Sequence, residues 1–273
     1  RVPCLILIRI APTIEAMIAI LSDIHSNTAA LTAVFDDLRS EGVKTIWCLG
    51  DILGYGPNPR ECLDMIRKNC TEVILGNHDY AVLYEPTYFN SGAEAAAFWT
   101  REALCDESKP EESAELLKFL ATLGNRKVIP TPVEGIREAL LVHGSPRRPV
   151  NEYLFPEDTV NHPAKLHIAF ERVEHLCFVG HTHMPGVFTD DLEFHPASAI
   201  HDGVFELDDK RHIINVGSVG QPRDRDKRAC YVILEDHQIR YRRVKYDVET
   251  TAAAIRKIDS LDNYLADRLI EGR

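Results

Sequence analysis

The sequence predicts an α/β fold in which two β-sheets pack face to face with helices outside. Three observations carry this expectation. From Met17 onward, short apolar runs alternate with helical patterns, as in βαβ units. From Arg126 the chain turns to closely spaced strand-like runs, so each half contributes strands. No linker, internal repeat or low-complexity tract separates the halves, which argues for one domain over residues 17–273.

The elements follow in order. "MIAIL" (17–21) is a short apolar run, broken by "SDIHSN". "TAALTAVFDDLRSEG" places Leu31, Val34, Phe35 and Leu38 at helical spacing and ends at Gly42. "VKTIWCL" (43–49) predicts the next strand, "GDILGYGPNP" a loop and "RECLDMIRKN" a helix. "TEVIL" (71–75) predicts a third strand, closed by "GNHD". Residues 91–124 change character: two helical patterns meet at Lys109 and Pro110. We expect a helical insertion on the α/β body, although two more core helices would give the same pattern. "RKVIPTPV" and "IREALLVHG" predict two strands around Glu134 and Gly135, and a helix is expected over 163–173. "LCFVG", "GVFTD", "LEFHPAS", "GVFELD", "HIINVGS", "ACYVILE" and "QIRYRRVKY" are strand-like, and two helical patterns end the chain. Residues 1–16 precede the first methionine, and Arg9 and Pro12 interrupt their apolar core. A secretory signal needs a longer apolar run and a small-residue cleavage site. These residues are therefore expected to be a non-native or mis-started extension ahead of Met17.

The 273 residues are 45% hydrophobic and 27% charged, which is the balance of a globular domain and not of a disordered chain. A formal charge of −11 repels a phosphate backbone and disfavours a nucleic-acid partner. The basic strand "RYRRVKY" is read as a solvated face. No apolar run is long enough to span a membrane. The seven cysteines are odd in number, scattered and free of Cys-x-x-Cys pairs, so they are read as thiols in a reducing, cytoplasmic compartment. The sequence leaves the oligomeric state open, a homo-oligomer included.

The chemistry is concentrated at strand ends. Asp23 and His25 follow "MIAIL", Asp51 follows "TIWCLG", and Asn77 and His78 follow "EVILG". His143 follows "EALLV", and His181 and His183 follow "LCFVG". In α/β sheets the loops beyond the carboxyl ends of strands form the binding crevice. One Asp-x-His or one loop histidine is weak evidence, but five strand ends that each deliver a ligand-type residue are not five unrelated turns. Carboxylate, amide oxygen and imidazole together suit Mn, Fe, Zn, Co or Ni. Seven ligands exceed the needs of one ion, so two divalent ions sharing a bridge are expected. Residues i and i+2 of an extended segment point the same way, about 6.5 Å apart, which lets Asp23 with His25, and His181 with His183, face one cluster.

Taken in order, "SDIHSN", "GD", "GNHD", "HGS" and "GHTH" resemble the motifs of the calcineurin-like metallophosphoesterase superfamily, over residues 17 to about 245. The string "INVGSVGQPRDRDKRACYVI" is similar to bacterial members of its small phosphodiesterase-like branch. The resemblance implies a four-layer αββα sandwich of two mixed sheets. It implies that Asp23, His25 and His183 hold one ion, that Asn77, His143 and His181 hold the other, and that Asp51 bridges them. A hydroxide between the ions would attack phosphorus, and His78 would contact the phosphate and protonate the leaving oxygen. The implied activity is hydrolysis of a small phosphodiester, with some monoesters.

The match has departures. Protein phosphatases and diadenosine tetraphosphatases of the superfamily carry an Arg soon after the second motif, and "GNHE". Here no Arg occurs until Arg60, and the motif reads "GNHD". Those two activities become alternatives, together with a nuclease and a scaffold without catalysis. Arg223, in "GSVGQPRDRD", is the candidate substitute for phosphate binding, ahead of Arg225 and Arg228. Asp224 and Asp226 could instead neutralise Arg223 in a solvated turn. Tyr55 is a pocket candidate or an ordinary loop aromatic. Asp79 is a weaker candidate for orienting His78. The histidines outside these motifs are read as surface or packing residues.

Overall fold

The computed structural model describes residues 17–131, 133 and 135–273, so the expectation for residues 1–16 falls outside the described residues. The first half runs β1 (Ile18–Leu21), α1 (Thr28–Glu41), β2 (Thr45–Cys48), α2 (Pro59–Asn69), β3 (Glu72–Val73) and α3 (Asn77–Leu83). α4 (Ser91–Leu104) and α5 (Pro110–Thr122) follow. The second half runs β4 (Arg126–Pro130), β5 (Glu138–Val142), α6 (Asp158–Asn161), α7 (Pro163–Phe170), β6 (Leu176–Val179), β7 (Gly186–Thr189), β8 (Phe194–Pro196), β9 (Val204–Glu206) and β10 (His212–Asn215). The chain closes with β11 (Ala229–Glu235), β12 (Gln238–Val244), α8 (Val248–Ile255) and α9 (Asn263–Glu271).

Two six-stranded mixed sheets result, in the orders β3-β2-β1-β11-β12-β9 and β4-β5-β6-β10-β7-β8. Each holds one parallel trio, β1, β2 and β3 in the first and β5, β6 and β10 in the second. Period-two alternation sets the layers. Ile18, Ile20, Trp47 and Leu49 point inward and meet Leu141, Phe178, Val187 and Ile214 of the other sheet. Ala19, Leu21, Ile46 and Cys48 point outward, under Leu31, Val34 and Leu38 of α1 and Leu63 and Ile66 of α2. On the far side, Leu140, Val142, Cys177 and Val179 lie under Leu166 and Phe170 of α7. This is the αββα order expected from the sequence.

Two differences concern the first half. Of "TEVIL", only Glu72 and Val73 pair as strand, although Ile74 N–H still donates to the Cys48 carbonyl at 3.0 Å. After "GNHD" closes the strand the chain enters an unassigned helix, because Asn77 opens α3. The usual Ser, Thr, Asp or Asn cap is replaced by Gly76, and Asp79 reaches back to accept the Gly76 N–H at 3.0 Å. The helix start therefore lacks its sequence signal. In the 91–124 segment, Leu116 and Leu120 of α5 join the outer layer of the first sheet. Ala93 and Ala96 of α4 pack instead with Tyr55 and with Val248, Ala252, Leu265 and Leu269 of α8 and α9.

Candidate metal centre

Every sequence-derived ligand sits in a loop or helix start directly after a parallel strand. Asp23 and His25 follow β1, Asp51 follows β2, and Asn77 opens α3 after β3; His143 follows β5, and His181 and His183 follow β6. Parallel strands share a direction, so the two trios bring these ends to one edge of the sandwich.

The backbone there is unusual. Asp23, His25, Asp51, His181 and His183 all have φ between 46° and 64°, the left-handed region that few non-glycine residues adopt. Such conformations cost free energy and persist where the surroundings over-determine them, as at functional sites. Two glycines allow the close approach. A Cβ on Gly76 would lie 2.1 Å from Asp51 Oδ1, and one on Gly180 would lie 2.1 Å from Ser22 Oγ and 2.4 Å from Asp23 Oδ2.

The side chains converge in two groups. Asp23 Oδ1 is 3.0 Å from His183 Nε2 and 3.8 Å from His25 Nε2, and the two imidazole nitrogens are 3.3 Å apart. His143 Nε2 is 3.1 Å from Asn77 Oδ1, 3.2 Å from His181 Nδ1 and 3.2 Å from Asp51 Oδ2. Asp51 Oδ2 also lies 3.8 Å from His25 Nε2, so it stands between the groups. Asp51 Oδ1 and Asp23 Oδ2 accept the backbone N–H of His78 and His181 at 2.8 and 3.0 Å, which fixes both carboxylates.

These contacts give a test of fit to cations. His25, His143 and His183 face the backbone carbonyls of Leu53, Leu49 and Gln221 through Nδ1, at 3.1, 3.0 and 2.5 Å. A carbonyl only accepts, so Nδ1 carries the proton and the Nε2 lone pair faces the cluster. Lone pairs of His25 and His183 then point at each other, and Asp23 Oδ1 is buried with no donor. Acceptors that converge without donors fit divalent cations, and imidazole, carboxylate and amide oxygen fit borderline transition metals. The electrostatics agree. Burial works against ionised Asp23, yet the His183 and His143 charges hold its carboxyl well below the usual range. Asp51 is held low against burial chiefly by His143 and His78. Burial works against a charged His143, but Asp51 and Asp23 lift it to about 9. The site concentrates negative charge.

His78 is buried beside this cluster. Its ring lies edge-on to His25 with centroids 5.0 Å apart, and against Tyr55 and Phe89 at 4.3 and 4.6 Å. Burial lowers its pKa to about 4, with Asp51 opposing and Arg223 adding to the shift. Asp79 does not serve His78: it accepts from Gly76 and Leu53 N–H, both at 3.0 Å, and burial and Asp51 push it up to about 7. Arg223 escapes the surface-turn alternative. Asp224 pairs with Arg243, and Asp226 with Arg228, leaving Arg223 to hydrogen-bond Gln221 Oε1 at 2.9 Å. Its Nε is buried without a partner. Arg225 is exposed, and Arg228 is held by Asp226, so neither runner-up replaces it. Arg60 is tied to Glu112 and to the Leu104 carbonyl on α4, in the helical layer.

Of the rest of the wall, sequence reasoning named only Tyr55. A cavity of about 620 Å³ opens beside Asn77, His78 and His181, lined by Tyr55, Tyr88, Phe89, Arg148 and Tyr153. Tyr153 stacks on His181, with centroids 3.8 Å apart and planes at 20°. The run "NEYLFPED" carried no motif to mark that contact.

Comparisons with known proteins agree on one kind of domain. Residues 17–238 match the model of the calcineurin-like phosphoesterase superfamily domain. An uncharacterized protein of Methanocaldococcus jannaschii is 39% identical over 270 residues, covering 95% of this chain and all of that one. The crystal structure of a metallophosphoesterase from Sphaerobacter thermophilus is 36% identical with a TM-score of 0.78, covering 95% of this chain and all of that one. A symmetrical bis(5'-nucleosyl)-tetraphosphatase of Erwinia tasmaniensis is 28% identical over 104 residues, 37% of this chain and 36% of that protein.

Proposed function

From the premise that the chain belongs to the calcineurin-like phosphoesterase superfamily, we propose that it is a dimetal-dependent hydrolase of a small phosphodiester, with some activity on phosphomonoesters. The observation that carries this reading is the convergence of imidazole nitrogen, carboxylate oxygen and amide oxygen in two buried groups that Asp51 Oδ2 joins. Asp23, His25 and His183 would hold one ion and Asn77, His143 and His181 the other, with Asp51 shared. Bound there, two divalent ions would supply a nucleophile derived from water and positive charge for the phosphoryl oxygens.

The chain's own residues supply the remainder. The carbonyls of Leu53, Leu49 and Gln221 keep three imidazoles in the tautomer a cation needs. His78 is placed to bind a phosphoryl oxygen and hand a proton to the leaving oxygen. Its Nδ1 is buried without a partner, and an anionic phosphoryl group beside it would raise the imidazole from the low pKa that burial gives it, toward the range in which it can donate a proton. Arg223 offers a guanidinium fork with no competing carboxylate. The cavity accepts the organic part of the ester. We assign residues 17–273 to one domain, with 91–124 as an insertion that shapes specificity. Among the described residues no helix is long and apolar enough to cross a membrane. The free thiols of Cys48, Cys62, Cys177 and Cys230 support our reading of a cytoplasmic protein.

A dinucleoside polyphosphate hydrolase is the second reading, favoured by the partial likeness to the tetraphosphatase of Erwinia tasmaniensis. Against it, the Arg nearest the second motif, Arg60, is engaged by Glu112 and Leu104. One experiment tests both: metal analysis of the purified protein, then hydrolysis of bis(4-nitrophenyl) phosphate, 4-nitrophenyl phosphate and diadenosine tetraphosphate with Mn, Ni, Co and Mg. Two bound ions and diester cleavage are expected. A metal-free protein that cleaves none of the three would overturn the reading, and a preference for the tetraphosphate would select the second.

A further inference from the structure

The string "NVGSVGQ" (215–221) supplies no ligand to the cluster, yet it lies directly against the segment that carries Asp23. The Val219 N–H donates to the Ser22 carbonyl at 3.0 Å, and the Gly220 N–H to the Asp23 carbonyl at 2.9 Å. A Cβ on Gly220 would stand 1.7 Å from the Ile24 carbonyl oxygen, so only glycine permits this approach.

Ser218 is the centre of this contact and is fully buried. Its Oγ donates to the Asp23 carbonyl and accepts the Gln221 N–H, both at 2.8 Å. The Gln221 carbonyl in turn accepts from His183 Nδ1 at 2.5 Å. One hydroxyl therefore joins the backbone of one ligand to the residue that aims another. The result is Asp23 Oδ1 at 3.0 Å from His183 Nε2. The Ser218 carbonyl accepts the Cys230 N–H of β11 at 2.8 Å, which anchors the hydroxyl to a sheet strand. Asn77, His143 and His181 take no bond from Ser218. His143 Nδ1 faces the Leu49 carbonyl, Asn77 Oδ1 faces His143 Nε2, and the His181 N–H donates to Asp23 Oδ2.

We propose that Ser218 is a positioning residue for one of the two ions, that of Asp23, His25 and His183, and not for the other. This assignment rests on the dimetal reading above and makes the two ion sites unequal. A hydroxyl whose only proton goes to Asp23 and whose lone pair takes Gln221 sets the spacing of two ligands before an ion arrives. Ligands ordered in advance need no reordering when the ion binds, and outer partners of this kind are typically worth about 10–100-fold in metal affinity.

The test is calorimetric titration of metal-stripped protein with Mn. Wild type should take up two ions. Ser218→Ala should bind one as wild type does and the other about 10–100-fold more weakly. Ser218→Cys, with a thiol that donates and accepts only weakly, should show a smaller loss of the same ion and serves where the Ala variant does not fold. Paired variants identify the site. Adding Ser218→Ala to His143→Ala should weaken the ion that remains, and adding it to His183→Ala should not. Ser113→Ala is the control for loss of a buried hydrogen bond as such: that hydroxyl accepts from Arg60 at 2.8 Å in the helical layer, and its removal should leave both ions bound as in wild type. Equal weakening of both ions by Ser218→Ala, no weakening of either, or a loss confined to the His183→Ala background overturns the proposal. A wild type that takes up no ion refutes the dimetal reading and this assignment together. Two ions with the expected dependence on Ser218, in a protein that cleaves no phosphoester, would keep the assignment and refute the hydrolase reading instead.

Discussion

The two sides of this site are built on opposite terms. The strand-end cluster is buried, with five residues in left-handed backbone and ring nitrogens aimed by backbone carbonyls. The cavity wall is open: Tyr88 and Tyr153 are exposed, Arg148 is exposed, and Phe89 is only half-buried. The first region has almost no freedom in residue type or position, because lone pairs must converge to within hydrogen-bond distances. The second needs shape, aromatic surface and a few charges, which many sequences can provide. Damage to the cluster should therefore abolish metal binding and all activity alike, and damage to the wall should redistribute activity among substrates.

Asp51→Asn attacks the cluster at its shared point, and we expect the largest effect. An amide bridges two cations poorly, so metal content should fall along with turnover on every substrate. The loss should exceed the about 10²–10⁴-fold that removing a proton donor costs. Full metal and full activity in this variant would dissolve the distinction between the regions.

His78 stands where the regions meet, touching His25 on one side and Tyr55 and Phe89 on the other. His78→Ala should keep its metal and lose about 10²–10⁴-fold in kcat. The loss should shrink for nitrophenyl esters, whose leaving group needs no proton, and grow for alkyl esters. Equal losses for both would make His78 a phosphate ligand only.

How far the sequence reveals each region follows from the same contrast. Asp23, His25, Asp51, His143, His181 and His183 were legible because each lies within a few residues of an apolar strand and the strands are parallel. The layers were legible from period-two runs such as Ile18, Ala19, Ile20 and Leu21. α3 was not, since Gly76 replaces the polar cap and the helix is only seven residues long. Tyr153 sits in a loop, where only the tertiary fold brings it over His181.

Arg223→Ala probes the wall's charge. We expect kcat/KM to fall by about 10–100-fold, as for loss of a hydrogen bond to a charged group, with metal content and melting temperature unchanged. Arg223→Lys should recover only part, since an ammonium lacks the fork. An unchanged kcat/KM for the Ala variant would return Arg223 to a structural role.

The smallest effect belongs to Tyr153, and it separates the regions most cleanly. Its ring covers His181, a residue of the cluster, yet the side chain itself is exposed and lines the cavity. It could act in either region. If it works for the cluster, by shielding the His181 ring, then Tyr153→Ala should weaken metal retention during dialysis and lower kcat equally for aryl and alkyl esters. If it works for the wall, by offering a face to the organic part of the ester, the variant should keep its metal and raise KM selectively for aryl esters. An aromatic pair contributes about 0.5–1.5 kcal/mol, so the selective rise should be about two- to tenfold. We expect the second pattern. His181 is already positioned by its backbone N–H, which donates to Asp23 Oδ2 at 3.0 Å and does not involve Tyr153. Tyr153→Phe should behave as wild type, because the ring face and not the phenol carries the contact. Loss of metal from Tyr153→Ala would move this residue into the cluster and shift the boundary between the regions by one side chain.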